Sequence, residues 1–462
     1  MASLRKFMHR EVGYLLRNNG ARCTLSRLQA GYSTTAEKEY AIEMACSNIR
    51  YGTGVTKEVG MDCKNMGAKN VLVVTDGRLS KMKPVKTVME ALDAQGVPFQ
   101  LYDKTAVEPT DESFKECIDF AKAGNFDLFL AVGGGSVIDT CKAANLYSSK
   151  PDAELLDFVN APIGKGLPIN HQLRPLIAVP TTAGTGSETT GVSVFDYLPM
   201  KAKTGIASRA LRPILGIVDP EHLVTMPERV TCYSGIDVLC HAIESYTAKP
   251  YLERVPRPTD PNLRPAYQGS NPISDIWCLH ALRLTSKYIK RAAFNPDDFE
   301  ARAAMHLASA YAGVGFGNSG CHLCHGMSYP ISGNVKSYTA EGYDPNIPLI
   351  PHGLSVVISA PAVFQFTAES NPQRHLEAAE ALGADISNVR KEDAGKILPD
   401  LLRGLLDELK VPDGLKSLGY SSDDVDTMVA GAMPQHRLVK LSPREVHADN
   451  MAELFENSMK LY

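Results

Sequence analysis

The sequence predicts an α/β domain built on a parallel sheet, followed by an all-helical domain. Three observations carry this reading. Between about residues 40 and 230, short β-branched runs alternate with amphipathic segments, the pattern of strands joined by crossover helices. After about Pro227 the strand runs stop and only helical spacing continues. The chain has 462 residues, more than one hydrophobic core usually serves. The expected division is a leader over 1–36, an α/β domain over 37–230 and a helical domain over 231–462.

The elements follow in order. VLVVTD (71–76) is a strand closing at a turn, and KPVKTVMEALDAQG (83–96) is a helix with a Gly stop. FQLYD (99–103) is a strand, and ESFKECIDFAKAG (112–124) is an amphipathic helix. FDLFLAVGGGS (126–136) runs into glycines, and SVIDTCKAANLY (136–147) restarts a helix. LIAVPTT (176–182) and LGIVDP (215–220) are further strands. In the second half, segments 274–293, 299–316, 392–410 and 444–459 carry helical periodicity. Ser442, Pro443 and Glu445 fit a capping box opening the last helix. The Pro- and Arg-rich stretch 249–272 is expected to be an irregular loop.

Composition narrows the function. Hydrophobic content of 44% and charged content of 22% are ordinary globular values. A formal net charge of -4 gives no electrostatic case for nucleic acid, which needs a clustered positive face. No apolar run approaches the ~18 residues of a membrane span, so no membrane partner is expected. The run 354–364 is read as buried helix. Ten scattered cysteines in so long a chain do not form a disulfide framework, and a reducing compartment follows.

Residues 1–36 differ from the rest. Arg5, Lys6, Arg10, Arg17, Arg22 and Arg27 stand against the single acid Glu11, with Ser26, Ser33, Thr34 and Thr35 nearby. An Arg-rich, Ser-bearing, acid-poor leader without an apolar core has the composition of a mitochondrial transit peptide. The expected localisation is the mitochondrial matrix, with cleavage near residues 31–35. A basic tail without targeting function reads the same way.

Two loops at strand ends could meet a nucleotide. AVGGGSVID (131–139) is a strand, a glycine turn and a helix start, where free N–H groups can face a phosphate. It matches neither standard phosphate-binding fingerprint, and a plain turn stays open. PTTAGTGSE (180–188) also follows a strand and concentrates hydroxyls. Two such loops at strand C-ends favour a dinucleotide cleft. Asp76, at the end of its strand, can accept from a ribose 2′-hydroxyl and would repel a 2′-phosphate, favouring NAD over NADP. A turn-forming role before Gly77 fits Asp76 equally.

Asp237 and His241 in GIDVLCHAIE stand four apart and share a helix face. Further on come His325 in CHLCHG and His352 in PHG. One Asp and three His suit Fe(II) or Zn(II). A capping Asp and a core His remain the plain reading of the first pair. The CHLCHG run (321–326) also has the spacing of a c-type haem attachment site. A haem carrier would leave the α/β half without a purpose, and no second Cys-x-x-Cys completes a structural zinc site.

In one order, GGGSVID, PTTAGTGSE, GIDVLCHAIE, FGNSGCHLCHG and PHG resemble the iron-containing (group III) alcohol dehydrogenase family, from about residue 40 onward. The resemblance implies a Rossmann-like N-terminal domain and an all-α C-terminal domain, the dehydroquinate synthase-like fold, with the site between them. It implies metal ligands at Asp237, His241, His325 and His352. It implies NAD contacts at Asp76, Gly134, Gly135, Ser136, Asp139, Thr181, Thr182, Thr185, Ser187 and Lys203. Many members carry a second histidine four residues after the third ligand. Here that position is Tyr329, so Tyr329 or water would replace a histidine proton relay.

Within the family, the basic leader and long inserts most resemble the branch that moves a hydride from 4-hydroxybutyrate to 2-oxoglutarate through retained NAD. The expected partners are small hydroxy acids and oxo acids; the sequence also allows a homo-oligomer. The metal, iron by the family's name and zinc as the second choice, would act as a Lewis acid on the substrate oxygen. Carboxylate substrates call for cations, and Arg254, Arg257, Arg264 and Lys336 in the inserts are the candidates. A solvated charged loop is the plain reading of these four. A dehydrogenase using free NAD differs only in cofactor release. A phosphate-handling relative of the same fold would want cleft basics that the sequence does not mark.

Overall fold

The computed structural model describes residues 37–462. The expected leader and Cys23 lie outside them. The first half holds eight strands: β1 (Asn48–Tyr51), β2 (Val71–Val74), β3 (Phe99–Tyr102), β4 (Leu128–Gly133), β5 (Leu176–Pro180), β6 (Val192–Tyr197), β7 (Ala202–Ala207) and β8 (Leu215–Val218). Six form one sheet in the order β1-β8-β5-β4-β2-β3, every neighbouring pair parallel. β6 and β7 form a separate antiparallel hairpin.

The two-residue period of a strand explains how both sheet faces fill. Val71 and Val73 of β2 pack with α1 (Val59–Asn65) and α2 (Lys83–Ala94) on one face. Leu72 and Val74 pack with α3 (Asp111–Ala123) and α4 (Gly135–Ser149) on the other. Local signals start these helices: Pro84 stands in the first turn of α2, and Thr110 and Ser113 cap α3 reciprocally. The chain leaves β2 toward β3 but leaves β4 toward β5. The strand order therefore reverses between β2 and β4, the place where open α/β sheets bind ligands.

The second half is helical. Its axis is α5 (Glu228–Thr247), buried from Arg229 to Thr247 except at Val230 and Ser234. Neighbours enclose it, so Asp237, His241 and Glu244 are buried along with its apolar residues. α6 (Pro272–Phe294), α7 (Phe299–Ser319), α8 (Leu323–Gly333), α9 (His352–Val357) and α10 (Ala360–Thr367) share its core, with α11 (Ala394–Glu408) and α12 (Ala448–Asn457) outside them. No helix among the described residues is long and apolar enough to cross a membrane.

Several local expectations change. β1 and the β6–β7 hairpin were not legible as strands. The run 354–364 is buried but belongs to two helices, α9 and α10, with Pro361 in the first turn of the second. The last helix starts at Ala448, capped by His447 and Asn450. Ser442 does not cap it, because its hydroxyl donates to the Arg444 carbonyl at 2.6 Å. The stretch 249–272 is a loop with two short 3-10 turns. Residues 37–39 pack on it: the Glu39 N–H donates to the Arg254 carbonyl at 2.9 Å, and the Arg257 N–H to the Glu37 carbonyl at 3.0 Å.

Candidate active site

Three helices converge on Asp237. α5 carries Asp237 and His241, α8 carries His325, and α9 begins at His352. Asp237 Oδ1 lies 3.7 Å from His241 Nδ1, 3.6 Å from His325 Nε2 and 3.9 Å from His352 Nε2. Gly353 permits the approach of α9, since a Cβ there would sit 1.9 Å from the Tyr233 carbonyl oxygen on α5. Asp237 Oδ1, His241 Nδ1 and His325 Nε2 are buried with no hydrogen-bond partner. Buried polar atoms are rarely left so. Orphaned atoms of one carboxylate and two imidazoles, with His352 Nε2 beside them, fit a borderline divalent cation.

The electrostatics suit a cation too. Burial opposes ionisation of Asp237, but His241, His352 and His325 outweigh it and hold the carboxyl well below its usual range. Burial pushes the His241 imidazole down to about 3, against the pull of Asp237. The ring is therefore neutral, the form that ligates metal. It stacks on Phe316 of α7, centroids 3.9 Å apart and planes 6° from parallel.

Glu244 completes the arrangement and was missed. It follows Asp237 by seven positions, two turns along the same face of α5, and that spacing was the available signal. One carboxylate oxygen meets His325 Nδ1. The other accepts backbone N–H groups of His322, Cys324 and His325 at 3.0, 2.8 and 3.3 Å. Burial opposes its charge, yet His325 first and these donors after it bring Glu244 down to about 2. A carboxylate on one ring nitrogen orients the other toward a metal.

The cluster opens onto a cavity of about 110 Å³ whose opposite wall is the nucleotide side. Gly135, Ser136, Asp139, Thr185, Ser187 and Lys203 line it together with His241, His325 and His352. The two loops are in contact: a Cβ on Gly135 would lie 2.6 Å from Thr185 Cγ2, and one on Gly134 would lie 3.1 Å from Thr182 Cγ2. Thr181, Thr182 and Gly134 do not line the cavity.

The family comparison agrees with this geometry. A family model described as iron-containing alcohol dehydrogenase matches residues 46–220, and its C-terminal companion matches 266–459. The chain belongs to the iron-containing alcohol dehydrogenase family. It is 63% identical over 424 residues to "Hydroxyacid-oxoacid transhydrogenase, mitochondrial" of Bos taurus, covering 92% of this chain and 91% of that one. The Homo sapiens protein of the same name is 61% identical with the same coverage. An archaeal halo-thermophilic Red Sea brine pool alcohol dehydrogenase superposes with a TM-score of 0.79 at 26% identity, over 92% of this chain and all of that one. Sulfoacetaldehyde reductase from Bifidobacterium kashiwanohense, solved with NAD+, gives 0.72 at 25% identity over 92% and 99%.

Several residues on the nucleotide side already have protein partners. Asp139 accepts from Ser187 Oγ at 2.5 Å and from the Val194 N–H at 2.9 Å. Lys203 lies 2.6 Å from Glu108 and 2.8 Å from Asp196. Lys142, which sequence reading passed over, donates from the core to Ser187 and Val192 and fixes the second loop. Asp76 Oδ1 accepts the N–H groups of Arg78 and Leu79 at 2.9 and 2.8 Å. It forms the turn, and it sits at the C-terminal end of β2 beside the point of strand reversal.

The substrate cations need correction. Arg254, Arg257, Arg264 and Lys336 do not line the cavity. Arg257 pairs with Glu37, Arg264 with Glu39 at 3.4 Å and Lys336 with Asp424 at 2.7 Å. Arg254 lies in outer grooves. Acids on the surface beneath the inserts take Arg257, Arg264 and Lys336. The cavity instead holds Arg437, which sequence reading missed, beside Tyr329.

The haem-like run resolves into separate roles. All nine cysteines among the described residues are unpaired, and all but Cys46 are buried. Cys324 is wholly enclosed. Cys321 Sγ lies within 4.8 Å of ligand atoms of His241 and His325. His322 bonds Thr247 at 3.1 Å and stays outside the cluster. Thiols packed in the core leave no face for a haem.

Proposed function

We propose that the protein is a mitochondrial hydroxyacid-oxoacid transhydrogenase, dependent on NAD and a divalent metal. It moves a hydride from 4-hydroxybutyrate to 2-oxoglutarate, giving succinate semialdehyde and 2-hydroxyglutarate. The observation that carries the reading is that the Asp237 cluster and the glycine-rich nucleotide wall face one cavity. The name and 61–63% identity of the mammalian relatives support the reaction class. Their mitochondrial designation and the composition of residues 1–36 support the matrix.

Asp237, His241, His325 and His352 would hold the ion, Fe(II) in preference to Zn(II), and Glu244 would keep the His325 ring aimed. When bound, the ion supplies a Lewis acid that eases loss of the hydroxyl proton, and NAD supplies the hydride acceptor. The chain's part is alignment and proton handling. Phe316 covers the His241 ring and keeps water from that side. The Tyr329 hydroxyl accepts from Arg437 Nη2 at 2.8 Å, so its own hydrogen is free to point into the cavity. The first half-reaction releases one proton and the second consumes one, and a hydroxyl that passes its own hydrogen to water as it takes the substrate's would relay the proton out and, in reverse, back. NAD, if held throughout, would supply the common carrier between the two acids.

The test is exchange without added cofactor. Purified, metal-loaded protein is given 4-hydroxybutyrate with and without 2-oxoglutarate. Product formed only when both acids are present supports the reading. Turnover that begins only with free NAD identifies a dehydrogenase instead.

A further inference from the structure

The cavity contains one charge that the protein does not neutralise. Four charged side chains besides the histidines line it: Glu108, Asp139, Lys203 and Arg437. Glu108 pairs with Lys203, and Asp139 lies 3.6 Å from Lys142 with hydrogen bonds on both oxygens. Arg437 has no carboxylate within 4.0 Å among the described residues. Its side-chain neighbours are two tyrosines. Nη2 donates to Tyr329 Oη at 2.8 Å, and the guanidinium lies 4.9 Å from the centre of the Tyr267 ring. A half-buried cation without a counterion is costly unless a ligand supplies one. The cation–π contact fixes the guanidinium plane but cancels no charge.

We propose that Arg437 is the carboxylate-binding residue of the reaction, holding the acid group of the hydroxy acid and then of the oxo acid. This rests on the transhydrogenase reading. One clamp can serve both half-reactions because both substrates carry a carboxylate, and an Arg fork matches that group with two parallel hydrogen bonds. Tyr329 and Tyr267 are positioning residues that set the fork. A second groove shares Tyr267 and Arg437 with the cavity, and Lys249, Arg254 and Lys440 line it against Glu253 and Glu445. That excess of positive charge at the approach raises the local concentration of anions. It gives Arg254 a place outside the site, in steering.

Two measurements on the full-length, metal- and NAD-loaded protein decide the proposal. The first is the ratio of kcat/KM for 4-hydroxybutyrate to that for 1-butanol. Arg437→Met is expected to lower this ratio about 100-fold, the size of a lost charged fork, chiefly through KM for the acid. A structural role would lower both substrates together, and an unchanged ratio overturns the assignment. Should Arg437→Met not fold, Arg437→Lys decides: about 10-fold weaker acid use is expected, and a wild-type KM overturns it. The second is calorimetric binding of glutarate, which cannot react. Wild type binds and Arg437→Met binds about 100-fold more weakly; equal binding overturns the proposal. Glutarate bound through Arg437 in a protein that shows no exchange would remove the transhydrogenase reading and leave the carboxylate site.

Discussion

Glu244 meets His325 Nδ1 and leaves His325 Nε2 facing Asp237 Oδ1 at 3.6 Å. The tautomer of the ring is thereby assigned by a carboxylate that is itself tied to three backbone N–H groups. Glu244→Gln keeps the shape and removes the charge. Metal affinity should fall about 10- to 100-fold, read by competition with a chromophoric chelator. Unchanged affinity would mean that packing alone orients His325.

His325 and Cys321 are neighbours with unequal roles. His325→Ala should lose both bound metal and activity. Cys321→Ser should keep its metal stoichiometry, and so should Cys324→Ala, which avoids burying a hydroxyl where Cys324 is enclosed. Elemental analysis of gently purified protein checks this. Metal lost from Cys321→Ser would bring that thiol into the ligand set.

Glu188 predicts a pH signature. It is buried, and its Oε1 has no partner. Burial pushes its carboxyl up from 4.5 to about 7. The folded protein then holds this proton more tightly than the unfolded chain between those values. Stability from this group is present at low pH and is lost as pH rises through the window, by roughly 3 kcal/mol. Glu188→Gln should remove that slope. Urea unfolding at a series of pH values is the check, and an identical slope in the variant would sink the account.

The insert cations should be dispensable at the site. Arg257 and Lys336 are spent on Glu37 and Asp424, and surface pairs of this kind contribute little. Arg257→Ala and Lys336→Ala should leave KM for both acids within about two-fold. A rise beyond about ten-fold in either steady-state titration would return that residue to the substrate's path.

Much of the fold was legible because local spacing reports burial. VLVV and FLAVG read as strands since both faces of a parallel sheet are covered, and α5 read as helix since Asp237 and His241 fall on one face. β1 was not legible: NIRY is four residues long, at the sheet edge and partly exposed, so it lacks the apolar run that marks an inner strand. The false cap at Ser442 has a similar cause. Its residue types fit, but the hydroxyl found a nearer carbonyl.

The sequence by itself determined the two-part architecture, the family and the residue types for metal and nucleotide, because each is written in contiguous motifs. The tertiary structure alone decided which charges meet. Arg437 lies 108 residues from Tyr329, on a four-residue helical turn too short to carry a period. Arg257 and Lys336 carry the same charge and are neutralised. Whether a cation has a counterion depends on what the folded chain places within a few ångströms, since the interaction falls with distance and is screened by water. No spacing rule along one chain encodes that.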